Sequence, residues 1–341
     1  MRSALAPVAS FVAVLALGQA LLAGLGGAGG DPRAVAVDEA IAASSGDVLV
    51  LGNSVTQSAI DAPALGEALH LPAGAVAKLA TEGAGPATWL ASWDRAVRAG
   101  LHPRIVLLYV PLHMVWTPED PHESDLALLA DLGAPDAAWA LTGHPAPDVV
   151  TTLQSRRFHL RETVLDGLTA GLADLLWQPS PSGKTASSRA RAALFGAPRP
   201  NEHTGQGQRV DGGGAPVVAA SAPRPEVAAA LLDEARRTGA RLVVVQAAAN
   251  PEGHPRACGP TVALPELEAS LKAGGADLLD LSTALDQERD FTTHHHLTPD
   301  GRAAATVLVA RGIGELGALT GGGGEGRRWV APCPSSVAPA R

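Results

Sequence analysis

Short, continuously apolar runs that alternate with helical stretches constrain the fold of this chain more than any other feature. Asp47-Val-Leu-Val-Leu51 ends in Gly52-Asn53-Ser54 and gives way to a helical pattern over residues 60–69. A second candidate strand spans residues 76–80, a helical stretch spans 88–99, and Arg104-Ile-Val-Leu-Leu-Tyr-Val110 is a third, continuously apolar from Ile105. Further on, Arg241-Leu-Val-Val-Val-Gln246 follows a helical pattern over 225–238, and Asp277-Leu-Leu-Asp-Leu281 follows one over 264–273. A last helix is expected from Pro299 to about Gly312. Strands that are apolar at every position are buried on both faces, as in parallel sheets covered by helices. The chain is therefore expected to be α/β, with a doubly wound parallel sheet whose ligands bind outside the carboxyl ends of the strands.

The length, 341 residues, accommodates one large α/β domain with insertions. We place that domain at residues 47–318, after a linker over 31–46. Residues 116–223 are too many for an ordinary crossover and read as an insertion. Its first part, through Trp177, has helical periodicity and the basic cluster Arg156, Arg157 and Arg161. Its second part, 178–223, is rich in Ser, Gly and Pro and is expected to lack regular structure, as is the tail over 319–341.

Residues 3–30 carry no charge, and Arg2 precedes them. An uncharged run of this length can cross a bilayer as a helix, and the single arginine ahead of it directs the rest of the chain outward. The chain is thus expected to be exported, with residues 1–30 either a membrane anchor or a cleaved signal peptide. Cys258 and Cys333 could pair in an oxidising compartment, and their spacing matches no metal motif. Aromatic residues make up only 3% of the chain against 46% hydrophobic, so the core has to be built mainly from Ala, Val and Leu. The formal net charge is −8 with no sustained basic stretch, which excludes nucleic acid as an expected partner.

Two segments carry residues suited to chemistry. Ser54 follows the first strand, at the edge of the sheet where sites form. His294, His295 and His296 precede Thr298-Pro299, a good helix start, so they reach the same edge from the loop after the fifth strand. A neutral imidazole there can take the proton of a serine hydroxyl and make it a usable nucleophile. Adjacent histidines on a loop point in different directions and no second ligand group accompanies them, so no metal and no cofactor is expected.

Val48-Leu-Val-Leu-Gly-Asn-Ser54 resembles the first conserved block of the SGNH, or GDSL-like, serine hydrolases. His296-Leu-Thr-Pro-Asp-Gly301 resembles their last block. The similarity covers about residues 47–316, with the insertion unmatched. It implies a flavodoxin-like sheet, Ser54 as nucleophile and His296 as its base. The second-block glycine falls at Gly83, or at Gly85, and Gly83 is preferred. With the Ser54 amide it would bind an oxyanion, and His113 stands where the family has an asparagine donor. Asn53 replaces the usual aspartate of the first block and, with His294 and His295, is expected near the substrate. The family's catalytic acid stands three residues before the histidine, where this chain has Thr293. Asp290 is the nearest acid upstream, and a backbone carbonyl is the alternative.

The resemblance implies an exported esterase or O-acyltransferase that works through an acyl-enzyme. Its substrate would be an ester or acylated glycan, such as an acetylated cell-surface polysaccharide. The departures at His113 and Thr293 leave a second expectation open, a catalytically inactive binding or scaffold protein on the same fold.

Overall fold

Six parallel strands form one sheet in the computed structural model, which describes residues 31–116, 123–146, 223–250, 264–285, 287–320 and 326–332. In chain order the elements are α1 (Pro32–Ala42), β1 (Val48–Leu51), α2 (Ser54–Ala59), α3 (Ala62–Ala68), β2 (Val76–Lys78), α4 (Pro86–Arg98) and β3 (Ile105–Val110). They continue with α5 (His113–Trp116), α6 (Glu123–Leu132), α7 (Asp136–Thr142), α8 (Pro225–Thr238), β4 (Arg241–Gln246), α9 (Pro265–Ala273) and β5 (Asp277–Asp280). A 3₁₀ turn (Glu288–Asp290), α10 (Pro299–Glu315), a second 3₁₀ turn (Ala318–Thr320) and β6 (Arg328–Val330) complete the set.

The strand order is β2-β1-β3-β4-β5-β6. Over the first five strands this is the flavodoxin-like order, in which the chain leaves β1 to one side for β2 and returns to the other side for β3. The direction of winding reverses between β1 and β3, and in such sheets ligands bind outside the carboxyl ends of the strands at that point. Every residue of β1 and β3 is buried, so alternate side chains feed two cores. Leu49, Leu51, Val106, Leu108 and Val244 face α1, α4 and α6 to α9, while Val48, Val50, Ile105, Leu107 and Val245 face α2, α3 and α10. On the first face α4 buries Trp89 and Trp93 almost completely, each worth on the order of 2–3 kcal/mol of transfer free energy.

Two segments expected to be irregular are regular. The expected linker contains α1, which Asp31 caps through its side chain and Pro32 opens; Ala34, Val37 and Ile41 are buried against the sheet's helical cover. The expected tail contains β6, paired in register with β5 through Leu278↔Arg328 and Leu279↔Trp329. Arg328 bridges Glu268 and the buried Asp280, and Trp329 Nε1 donates to Glu315 at 2.6 Å. Gly326-Arg-Arg-Trp-Val-Ala-Pro332 offers no apolar run to read, and these side-chain contacts hold the strand in place.

The start of the expected insertion also belongs to the core. Leu128, Leu129 and Leu132 of α6 and Trp139 of α7 are buried, and both helices pack on α4. By internal contacts the described residues fall in the unit made of residues 30–147 and 221–341. Residues 1–30, the arginine cluster at 156, 157 and 161, most of 178–223 and both cysteines lie outside the described residues. Among the described residues no helix is long and apolar enough to cross a membrane.

Candidate active site

The turn after β1 is built around Gly52. Its φ is +150°, and a Cβ there would lie 1.7 Å from Thr56 Oγ1 and 3.1 Å from the Tyr109 carbonyl oxygen, so only glycine fits. The space it leaves lets Thr56 Oγ1 donate to the Tyr109 carbonyl at 2.5 Å and accept the Asn53 N–H at 3.1 Å. Asn53 is buried and caps α2, its Oδ1 accepting the Val55 N–H at 3.0 Å while Nδ2 donates to Met114 Sδ at 3.2 Å. Both ends of the side chain are used to fix the turn and to tie it to α5. Ser54, half-buried, is then the first residue of α2.

The histidines sit on a tight loop after the first 3₁₀ turn. Phe291 and Leu297 form an antiparallel bridge, and Thr292 N–H donates to the His296 carbonyl at 2.8 Å. The loop is anchored on two sides. Toward β4, His295 Nδ1–H donates to the Ala248 carbonyl at 3.0 Å, and Asn250 N–H donates to the His294 carbonyl at 2.8 Å. Toward α2, Leu297 N–H donates to Ser58 Oγ at 3.2 Å, and Arg302 Nε donates to the Ser58 carbonyl at 2.9 Å. Gly301 permits the close approach of α10 to the 3₁₀ turn, because a Cβ there would lie 2.2 Å from the Asp290 carbonyl oxygen.

These anchors place His296 Nε2 2.9 Å from Ser54 Oγ. The other ring nitrogen, Nδ1, lies 2.7 Å from Thr293 Oγ1. Asp290, the acid expected at this position, is replaced there by Thr293. The hairpin closes three residues before His296, which brings Thr293 to the ring, while Asp290 lies in the 3₁₀ turn, where its carbonyl accepts the Thr298 N–H at 2.9 Å. Of the neighbouring histidines, His295 serves the anchor to Ala248. His294 is exposed and meets the His295 ring edge-on, with centroids 4.4 Å apart.

Potential oxyanion donors come from the same edge. The N–H groups of Ser54 and Gly83 make no hydrogen bond within the described residues. Gly83 is exposed in the loop after β2, with φ +70°, and that loop is tied to the turn before Ser54 by Thr81 N–H donating to the Gly52 carbonyl at 3.3 Å. His113 opens α5 just past β3 and is exposed, one residue from the Met114 that meets Asn53. Loops from β1, β2, β3 and β5 thus gather Ser54, Gly83, His113 and His296 at one end of the sheet. No protein-family model and no curated protein matches this chain. Among the described residues, no group of three or more His, Cys, Asp or Glu side chains is placed to hold a metal ion.

Behind the site, Tyr109 is fully buried at the end of β3, and burial pushes its phenol well above the ordinary range. It stays a neutral O–H, and its oxygen accepts the Ala248 N–H at 3.4 Å from the segment that anchors His295. Sequence reasoning missed Thr293, Ser58 and Tyr109. Position alone pointed to Thr293, which stands where the resemblance requires an acid. Ser58 and Tyr109 had no signal, because they act through contacts that only folding creates.

Proposed function

We propose that this chain is a serine ester hydrolase or acyltransferase of the SGNH type. The observation that carries the reading is the 2.9 Å contact between Ser54 Oγ and His296 Nε2 at the carboxyl edge of a flavodoxin-like sheet. Nucleophile and base within hydrogen-bond reach, with the base held by a further group, is the geometry that activates a serine.

In the reaction, His296 Nε2 accepts the Ser54 hydroxyl proton as Oγ forms a bond to the acyl carbon. The carbonyl oxygen becomes an oxyanion, for which this reading assigns the Ser54 and Gly83 amides as donors. Collapse of the tetrahedral intermediate breaks the bond to the alcohol oxygen, which takes the proton from Nε2 and leaves an acyl-Ser54 ester. Water or an acceptor hydroxyl then repeats the sequence, losing its proton to Nε2 and regenerating Ser54. The uncharged run over 3–30 supports action outside the cytoplasm, on acylated material such as the acetyl groups of a cell-surface polysaccharide.

A second reading, an inactive binding or scaffold protein of envelope polysaccharide assembly, is favoured by two substitutions. An exposed histidine, His113, replaces an amide donor, and a neutral hydroxyl on Thr293 replaces a carboxylate at the imidazole. Intact-mass analysis after fluorophosphonate treatment of the full chain separates the two. A single adduct that is absent from Ser54→Ala and His296→Ala supports the enzyme. Absence of any adduct on folded protein rejects it in favour of the scaffold.

A further inference from the structure

We infer that Thr293 is a positioning residue that holds His296 in the tautomer able to act as a base, and that its lack of charge sets the rate and pH dependence of Ser54 activation. The inference rests on the reading of Ser54 and His296 as nucleophile and base. A carboxylate can only accept hydrogen bonds, whereas a hydroxyl donates one and accepts two. Two arrangements are therefore open to the 2.7 Å contact between Thr293 Oγ1 and His296 Nδ1. If the hydroxyl donated to Nδ1, Nε2 would carry the proton and donate to Ser54 Oγ, leaving no lone pair to take the serine proton. If Nδ1–H donates to Oγ1, Nε2 presents its lone pair to the serine hydroxyl.

The surroundings favour the second arrangement. The backbone N–H of His296 donates to Oγ1 at 3.3 Å, which fixes that oxygen as an acceptor, and its second lone pair can take an N–H from Nδ1 at 2.7 Å. Thr293 is exposed, and its own hydroxyl proton turns to water at no cost. The hydroxyl thus does the orienting part of a catalytic carboxylate's work without the electrostatic part. When Nε2 takes the Ser54 proton, the imidazolium has a dipole beside it instead of a full negative charge, and the transition state loses that attraction.

The other titratable groups near this loop sit on the elements around it. They are His294 and His295 on the loop, Glu288, Arg289 and Asp290 on the 3₁₀ turn, Asp300 and Arg302 on α10, Glu82 after β2 and His113 on α5. None of these replaces Thr293 at Nδ1. A carboxylate introduced at 293 would be in direct contact and would favour the imidazolium, so the neutral, basic imidazole would appear only at higher pH.

The test is the second-order rate of Ser54 labelling by a fluorophosphonate as a function of pH, with imidazole ¹⁵N NMR of His296 in the same proteins. Thr293→Asp is expected to label at least about tenfold faster at its plateau, with the acid limb of the profile moved up by about one pH unit or more. Thr293→Val is expected to label at least about tenfold more slowly, and Thr293→Ser, which keeps the hydroxyl, to recover most of that loss. The ¹⁵N shifts of the unsubstituted protein are expected to place the neutral ring's proton on Nδ1. A proton on Nε2, or a Thr293→Val protein with the original rate and pH profile, would overturn the inference. Failure of the underlying reading looks different: no variant labels at Ser54, while the ¹⁵N spectra still report the Nδ1 proton.

Discussion

Ser54 and His296 stand 242 positions apart in the chain, yet their side chains meet at 2.9 Å. The carboxyl ends of β1 and β5 supply the two loops, and the parallel strands bring both to one edge of the sheet. Ser54→Ala is expected to shift stability by less than about 1 kcal/mol, since it removes one half-buried hydroxyl. Both Ser54→Ala and His296→Ala should lose at least about a thousandfold of any esterase activity, because nucleophile and base act as a unit. Hydrolysis of p-nitrophenyl acetate alongside thermal unfolding checks both; a variant that keeps the activity would remove these residues from the mechanism.

Gly52→Ala should be far more damaging. The added methyl would lie 1.7 Å from Thr56 Oγ1, at a φ of +150° that side chains rarely adopt. Relief requires breaking the Thr56 bond to the Tyr109 carbonyl, so we expect a loss of about 2–4 kcal/mol together with displacement of Ser54. Urea unfolding and fluorophosphonate labelling read the two effects separately.

Ser58→Ala tests how the two halves of the site are held together. Ser58 Oγ accepts the Leu297 N–H at 3.2 Å and donates to the Val55 carbonyl at 2.9 Å, linking the helix that begins at Ser54 to the residue after His296. Its loss leaves the Leu297 N–H without that acceptor, at a cost of about 1–2 kcal/mol. The expected signature is a slower labelling rate at Ser54 that exceeds what the change in folded fraction explains. An unaltered rate would mean that the β4 anchor alone fixes the loop.

Asp280→Ala addresses the C-terminal strand. The buried carboxylate accepts Arg328 at 2.7 Å and the Ser282 hydroxyl at 2.6 Å. Removing one partner of a buried pair typically costs about 3–5 kcal/mol, and the low end is expected here because Arg328 keeps Glu268. Hydrogen exchange should then show β6 opening before β5. Simultaneous opening would indicate that backbone pairing and Trp329, and not the ion pair, retain the strand.

Five segments, residues 47–51, 76–80, 104–110, 241–246 and 277–281, already mark β1 to β5 in the sequence. A run such as Ile105–Val110, apolar at every position, satisfies itself only when covered on both faces, and that requirement acts locally and is written in the residue types. The placement of Ser54 and the histidines at the carboxyl edge follows from the same alternation. Helix α1 carries a start signal, Asp31 as cap and Pro32 at the first helical position, but next to the glycines of 26–30 the segment reads as a linker. Tertiary structure alone decided β6, whose three residues gain their place from Glu268, Asp280 and Glu315 on distant segments. It also decided which side chain meets His296 Nδ1. Asp290 is the stronger acceptor in isolation, but the hairpin closed by Phe291 and Leu297 fixes distance before chemistry can choose, and it presents Thr293.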